Sequence, residues 1–113
     1  HSNSIMLSSL EGCRLGVWIA HGEGKFNFPY FKDKYNIAMS YSFDEYPGNP
    51  NGSDWSVAAI CSNDGRHLAM MPHIERAFLP WQWPYYPEGR NNDEVAPWIE
   101  AFRNAFNWIK NNK

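Results

Sequence analysis

Trp55-Ser-Val-Ala-Ala-Ile-Cys-Ser62, Asn63-Asp-Gly-Arg66 and His67-Leu-Ala-Met-Met71 read as strand, tight turn and strand. Asp64-Gly65 supplies the positive φ angles that a short hairpin connection needs. The first strand is apolar along most of its length, and Pro72 stops the second by removing a ladder donor. Upstream, Arg14-Leu-Gly-Val-Trp-Ile-Ala20 is a near-continuous apolar run of strand length. Such a run suits a strand buried on both faces, as in an α/β sheet. Residues 36–43 alternate apolar and polar positions and predict a half-buried strand. Residues 4–10 predict a short edge strand. Tyr46-Pro-Gly-Asn-Pro-Asn-Gly52 is dense turn chemistry and predicts a loop.

From Pro97 onward the period becomes helical. Ile99, Phe102, Ala105, Phe106 and Ile109 recur at spacings of three and four and form one apolar face. Pro97 suits a first turn. Glu100 lies early and Lys110 and Lys113 late, as the helix dipole favours. The expected fold is α/β, with a hairpin and a C-terminal helix packed on the sheet. Residues 79–97, rich in Pro, Trp and Tyr, are expected to wrap the surface as an ordered loop.

Composition narrows the function. The 113 residues are 43% apolar and 17% aromatic, enough for the core of one domain or part of one. Ten Lys and Arg face twelve Asp and Glu, a net charge of -2. Without a basic surplus there is no footprint for a row of phosphates, so nucleic acid is not an expected partner. No apolar run reaches the roughly 18 residues of a membrane span. Two cysteines are too few for a disulfide framework. The start, His1-Ser-Asn-Ser4, carries no Met and no secretion leader, and reads as the interior of a longer protein or a cloning remnant. The Asn51-Gly-Ser53 sequon reads as a turn rather than a glycan acceptor.

Two histidines share one small pattern. His21-Gly22-Glu23 follows the run 14–20, and His73-Ile74-Glu75 follows the strand 67–71 across Pro72. Strand ends are where α/β active sites collect. A carboxylate beside a histidine fixes the ring's tautomer and stabilises its charged form, so the ring can serve a nucleophile as base and acid. Taken alone, such a triplet is more often a chance surface pair. The nucleophile is not evident. Cys13 precedes the apolar run and Cys61 lies within a strand; neither sits in a glycine-flanked elbow, and both suit small buried residues. His21, Glu23, His73 and Glu75 could together hold zinc, although no His-x-x-x-His or Cys-x-x-Cys spacing supports it. Gly22 and Gly24 are not followed by the Lys-Ser/Thr of a Walker loop. Trp81, Trp83, Trp98 and Trp108 either stack a sugar or base or, as such residues more often do, pack core and loops.

Leu15-Gly-Val-Trp-Ile-Ala-His-Gly-Glu-Gly-Lys-Phe26, Asn49-Pro-Asn-Gly-Ser53, Asp64-Gly-Arg-His-Leu-Ala-Met-Met-Pro-His-Ile-Glu-Arg76 and Trp81-Gln-Trp-Pro84 occur in this order with suitable gaps. Together they resemble the C-terminal glutaminase domain of the phosphoribosylformylglycinamidine synthase family, glutamine amidotransferases of purine synthesis. The resemblance spans nearly all of residues 1–113. It implies part of a class I, flavodoxin-like glutaminase sheet with a Cys-His-Glu triad. It implies glutamine hydrolysis through a cysteine thioester. The ammonia would pass to a cytoplasmic synthetase that uses ATP and Mg. His73 and Glu75 resemble the triad's histidine and glutamate, with Ile74 where the family usually has Pro. His21, Gly22 and Glu23 resemble the loop that touches the backbone end of glutamine. Neither cysteine matches the triad thiol, so the piece is expected to be inactive alone and to self-associate at a bare sheet edge. A non-catalytic interaction module of the same fold and a His/Glu metal-dependent hydrolase stand as alternatives.

Overall fold

The chain was analysed as a computed structural model, which describes residues 2–84, 88–89 and 93–112. Three strands, β1 (Asn36–Ser40), β2 (Val57–Cys61) and β3 (Leu68–Met70), form an antiparallel sheet in the order β1-β2-β3. A helix, α1 (Ile99–Asn111), follows, so the architecture is α/β. Short 3₁₀ turns occupy much of the rest.

β2 is central because its residues are small, apolar and paired on both sides. Ala59 lies opposite Met39 and Met70, and Ile60 opposite Ile37 and Ala69. Val57, Ala58 and Ala59 are fully buried. The hairpin forms where the Asp-Gly pair predicts it. The Ser62 N–H donates to His67 O (2.9 Å) and the Gly65 N–H to Ser62 O (3.0 Å). The Asp64 carboxylate accepts from the Ser62 hydroxyl (2.6 Å) and the Arg66 N–H (3.1 Å).

Gly65 has φ +75°, and a Cβ there would lie 2.1 Å from the carbonyl oxygen of Asn3. The Ile5 N–H also donates to Gly65 O (3.0 Å), so the N-terminal segment lies against the hairpin. Gly65→Ala therefore meets both an unfavourable φ and a backbone clash. It is expected to lower stability by about 1–3 kcal/mol. Thermal unfolding followed by circular dichroism checks this, with an unchanged melting temperature as the contrary result.

Three expectations are corrected. Residues 4–10 form no strand; the segment ends in a 3₁₀ turn at Ser8–Leu10. Its serines take the backbone groups that a ladder needs. Ser4 Oγ accepts from the Leu7 N–H (3.4 Å), and the Ser8 hydroxyl donates to Ile5 O (3.0 Å). Residues 14–20 form no strand either. Residues of 10–17 and 37–43 both line a cavity of about 640 Å³. Trp18 is 66% exposed. The main chain of this run accepts a side-chain bond: the Trp98 indole N–H donates to Gly16 O (2.8 Å). An apolar run becomes a central strand only where neighbours complete its hydrogen bonds.

The third correction concerns α1, whose existence and charge pattern follow the expectation for Glu100 and Lys110; Lys113 lies outside the described residues. The face turned inward is Ala101, Asn104, Ala105 and Trp108. Phe102, Phe106 and Ile109 are 38%, 67% and 58% exposed. Asn104 sets this rotation by donating to Met6 O (2.9 Å) and Ser9 Oγ (2.8 Å). The helix thus leans on the Ser8–Leu10 turn, and its first turn enters a cluster of Leu7, Ile74, Ala77, Trp98 and Ala101. Arg66 lies over the Trp108 ring at 5.3 Å, joining the hairpin to the helix.

Of the expected surface loop 79–97, residues 85–87 and 90–92 lie outside the described residues. Its ends are joined by the Ala96 N–H donating to Phe78 O (2.7 Å). Trp83 and Trp98 are buried while Trp81 is exposed, so these three are divided between packing and surface and form no common platform. Among the described residues no helix is long and apolar enough to cross a membrane.

Candidate functional site

Antiparallel pairing puts the end of β1, the start of β2 and the end of β3 at one edge of the sheet. The Tyr41 N–H donates to Ser56 O (2.8 Å) there, and the Met71 N–H to Ala58 O (2.9 Å). Pro72 then turns the chain out of the sheet. His73 precedes a single 3₁₀ turn, Ile74–Arg76, closed by the Arg76 N–H donating to His73 O (3.1 Å). Ile74 anchors that turn in the core cluster. A turn this tight brings residue 75 back over residue 73. His73 Nδ1 lies 2.7 Å from Glu75 Oε1.

The carboxylate only accepts, so the ring nitrogen facing it is the donor, and Nε2 keeps its lone pair when the ring is neutral. The hydrogen bond from His73 holds the Glu75 carboxyl below its usual range, with a backbone hydrogen bond in second place. Both side chains are partly open to water. A depressed carboxyl pKa means that the pair's contribution is present above the unfolded value and is lost as pH falls through the folded one. Carboxyl ¹³C titration should give Glu75 a lower midpoint than a free glutamate, rising in His73→Ala. Equal midpoints in the two proteins would show that the pair is not formed.

The second loop is a turn over residues 21–24, closed by the Gly24 N–H donating to His21 O (3.1 Å). Gly22 takes φ +59°, which favours glycine. Gly24 has a different reason: a Cβ there would lie 3.1 Å from Met71 Sδ. The turn therefore lies against the residue that leads into Pro72 and His73. Residues 49–54 hold this segment from behind. Phe26 N–H donates to Ser53 Oγ (2.9 Å) and Phe28 N–H to Asp54 Oδ2 (2.9 Å). Phe28 stacks on Trp55 at 5.2 Å. Asn49 and Ser53 brace each other through two bonds of 2.9 Å.

Of the residues predicted from sequence, His73 and Glu75 are thus brought into contact. His21 meets Tyr41 and Asn51 instead (3.3 and 3.4 Å), and Glu23 is exposed on the turn. The four do not gather: among the described residues no three His, Cys, Asp or Glu side chains form a metal cluster, so the zinc arrangement is not built. Cys61 is buried opposite Leu68 at the other end of the sheet, and Cys13 is exposed in the turn after Leu10. The burial expected of both is met by Cys61 only. From sequence Asn49 and Asn51 read only as turn residues, and Tyr41 carries no signal of its contact with His21. The available signal was the density of Asn and Ser in residues 49–53, side chains that bond nearby main chain.

Residues 1–109 match the family described as CobB/CobQ-like glutamine amidotransferase domain. The chain is similar to a probable phosphoribosylformylglycinamidine synthase, chloroplastic/mitochondrial, of Arabidopsis thaliana, at 44% identity over 96% of this chain and 9% of that protein. It is likewise 44% identical to the phosphoribosylformylglycinamidine synthase of Homo sapiens, over 93% of this chain and 9% of that protein. With the Drosophila melanogaster phosphoribosylformylglycinamidine synthase it shares 41% identity over 99% of this chain and 10% of that protein. The chain thus spans about a tenth of the length of these curated relatives.

Proposed function

The chain belongs to the CobB/CobQ-like glutamine amidotransferase domain family, and from that membership we propose that residues 1–113 are the C-terminal portion of a glutaminase domain. The domain would be of the class I, flavodoxin-like kind, serving a phosphoribosylformylglycinamidine synthase. One observation carries the reading: the 2.7 Å His73–Glu75 pair at the edge of the sheet.

In this mechanism Glu75 holds the Nδ1–H, and His73 Nε2 takes the proton of a cysteine thiol. The thiolate attacks the carboxamide carbon of glutamine, and the C–N bond breaks as His73 returns the proton to the departing ammonia. Water then cleaves the thioester with the same base, releasing glutamate. The thiol would come from outside residues 1–113, since neither Cys13 nor Cys61 lies in a glycine-flanked elbow. The turn of His21, Gly22 and Glu23 receives the backbone end of glutamine. The ammonia would pass to a synthetase domain outside residues 1–113, which would use ATP and Mg to convert formylglycinamide ribonucleotide to the amidine. The reading places this work in the cytoplasm. It is tested by comparing glutamine-driven with ammonia-driven synthesis in the longer protein, because only the first depends on His73 and Glu75.

The isolated chain is expected to self-associate. Phe102, Phe106 and Ile109 are exposed along α1, and the net charge of -2 offers little repulsion. Sedimentation over a wide concentration range should show a dimer or larger species; a single monomer at about 100 μM, unfolding cooperatively like a small domain, would count against it.

A further inference from the structure

The Asn51 amide faces two carbonyls and one imidazole nitrogen of the 21–24 turn. Its nitrogen lies 2.6 Å from Gly22 O, 2.8 Å from Gly24 O and 3.4 Å from His21 Nδ1. Two main-chain carbonyls can only accept, so the NH₂ end of the amide must be the end that faces them. Those two carbonyls take the two N–H hydrogens, and the same NH₂ confronts His21 Nδ1, so a proton on Nδ1 would face a donor with nothing to accept it and that tautomer is disfavoured. A neutral imidazole with an unprotonated Nδ1 carries its proton on Nε2. That nitrogen lies 3.3 Å from the Tyr41 hydroxyl, which can accept. Tyr41 is fixed at the end of β1 by its N–H on Ser56 O, and burial pushes its phenol up, so it stays neutral.

We propose that Asn51 is a positioning residue: it clamps both carbonyls of the 21–24 turn and selects the Nε2-protonated tautomer of His21. The clamp ties residues 30 apart in sequence and holds the turn where Gly24 abuts Met71, next to His73. A glycan on Asn51 would take one of the two N–H groups and break the clamp.

The test uses the ¹⁵N-labelled chain, with long-range ¹H–¹⁵N correlation of His21 and hydrogen exchange of the Gly24 amide. The wild type should show the Nε2–H pattern; an Nδ1–H pattern overturns the proposal. Asn51→Asp puts a carboxylate against Nδ1 and both carbonyls. It should draw a proton onto Nδ1 and speed Gly24 exchange at least about tenfold, with the Gly65 amide of the hairpin unchanged. Asn51→Ala removes the donor without the repulsion. It should give mixed tautomers and the same faster Gly24 exchange, which keeps the test open if the Asp variant does not fold. Unaltered His21 nitrogens and Gly24 exchange in Asn51→Ala would refute the clamp.

A second arm rests on the proposed glutaminase reading. In the longer protein, Asn51→Ala should raise KM for glutamine by about 10–10²-fold and spare ammonia-driven turnover. Altered spectra with an unchanged KM would leave the clamp standing and overturn the assignment of the turn to glutamine.

Discussion

In the longer synthase proposed to carry this chain, His73→Ala is expected to lower glutamine-dependent synthesis by about 10⁴-fold or more and to leave ammonia-dependent synthesis unchanged. The imidazole performs two proton transfers in the proposed cycle, activation of the thiol and protonation of the leaving ammonia. Alanine performs neither. Ammonia supplied from solution enters after both steps and has no need of them. Glu75→Gln behaves differently in degree. The amide oxygen still accepts the Nδ1–H and orients the ring, but its neutral group does not stabilise the imidazolium. Its loss is expected to be smaller, about 10²-fold. Initial rates with saturating glutamine and with ammonium salts, on both variants, check the pattern. An equal fall in both activities would mean that His73 supports the fold, as its neighbour Ile74 does in the core cluster.

The 113-residue chain alone is expected to release no glutamate from glutamine. Histidine and glutamate without a thiol provide no covalent intermediate. The two thiols that exist are misplaced for different reasons. Cys61 is buried in β2, at the end of the sheet away from Pro72 and His73. Cys13 is exposed, but sits in the turn after Leu10 rather than in an elbow aimed at the ring. Glutamate release is measured on the purified chain and on a Cys13→Ser, Cys61→Ser variant. Turnover that persists without both thiols and disappears in His73→Ala would contradict this account and reopen a non-covalent mechanism.

Much of the site was legible before any coordinates because its geometry is local. Residues 73 and 75 are two apart, Pro72 ends the strand, and one turn suffices to bring carboxylate to imidazole. The hairpin is local in the same way, since Asp64-Gly65 encodes its own backbone angles. Asn51 escaped because its partners lie 27 to 30 residues upstream. Nothing in Asn49-Pro-Asn-Gly-Ser53 says which main chain its amides will find.

By itself the sequence determined the strands that pair through a short turn, the start and charge polarity of α1, and the likeness to amidotransferases carried by residues 15–26 and 64–76. These depend on interactions between near neighbours. Only the tertiary structure decided what the apolar stretches do. Residues 14–20 have the composition of a buried strand, yet they form none and Trp18 is exposed. In α1 the more apolar stripe is the exposed one, because Asn104 finds Met6 and Ser9 and turns Ala101 and Trp108 inward. Hydrophobicity has no direction of its own. It favours burial wherever cover exists, and where cover exists is a property of distant chain segments and of the hydrogen bonds that hold them.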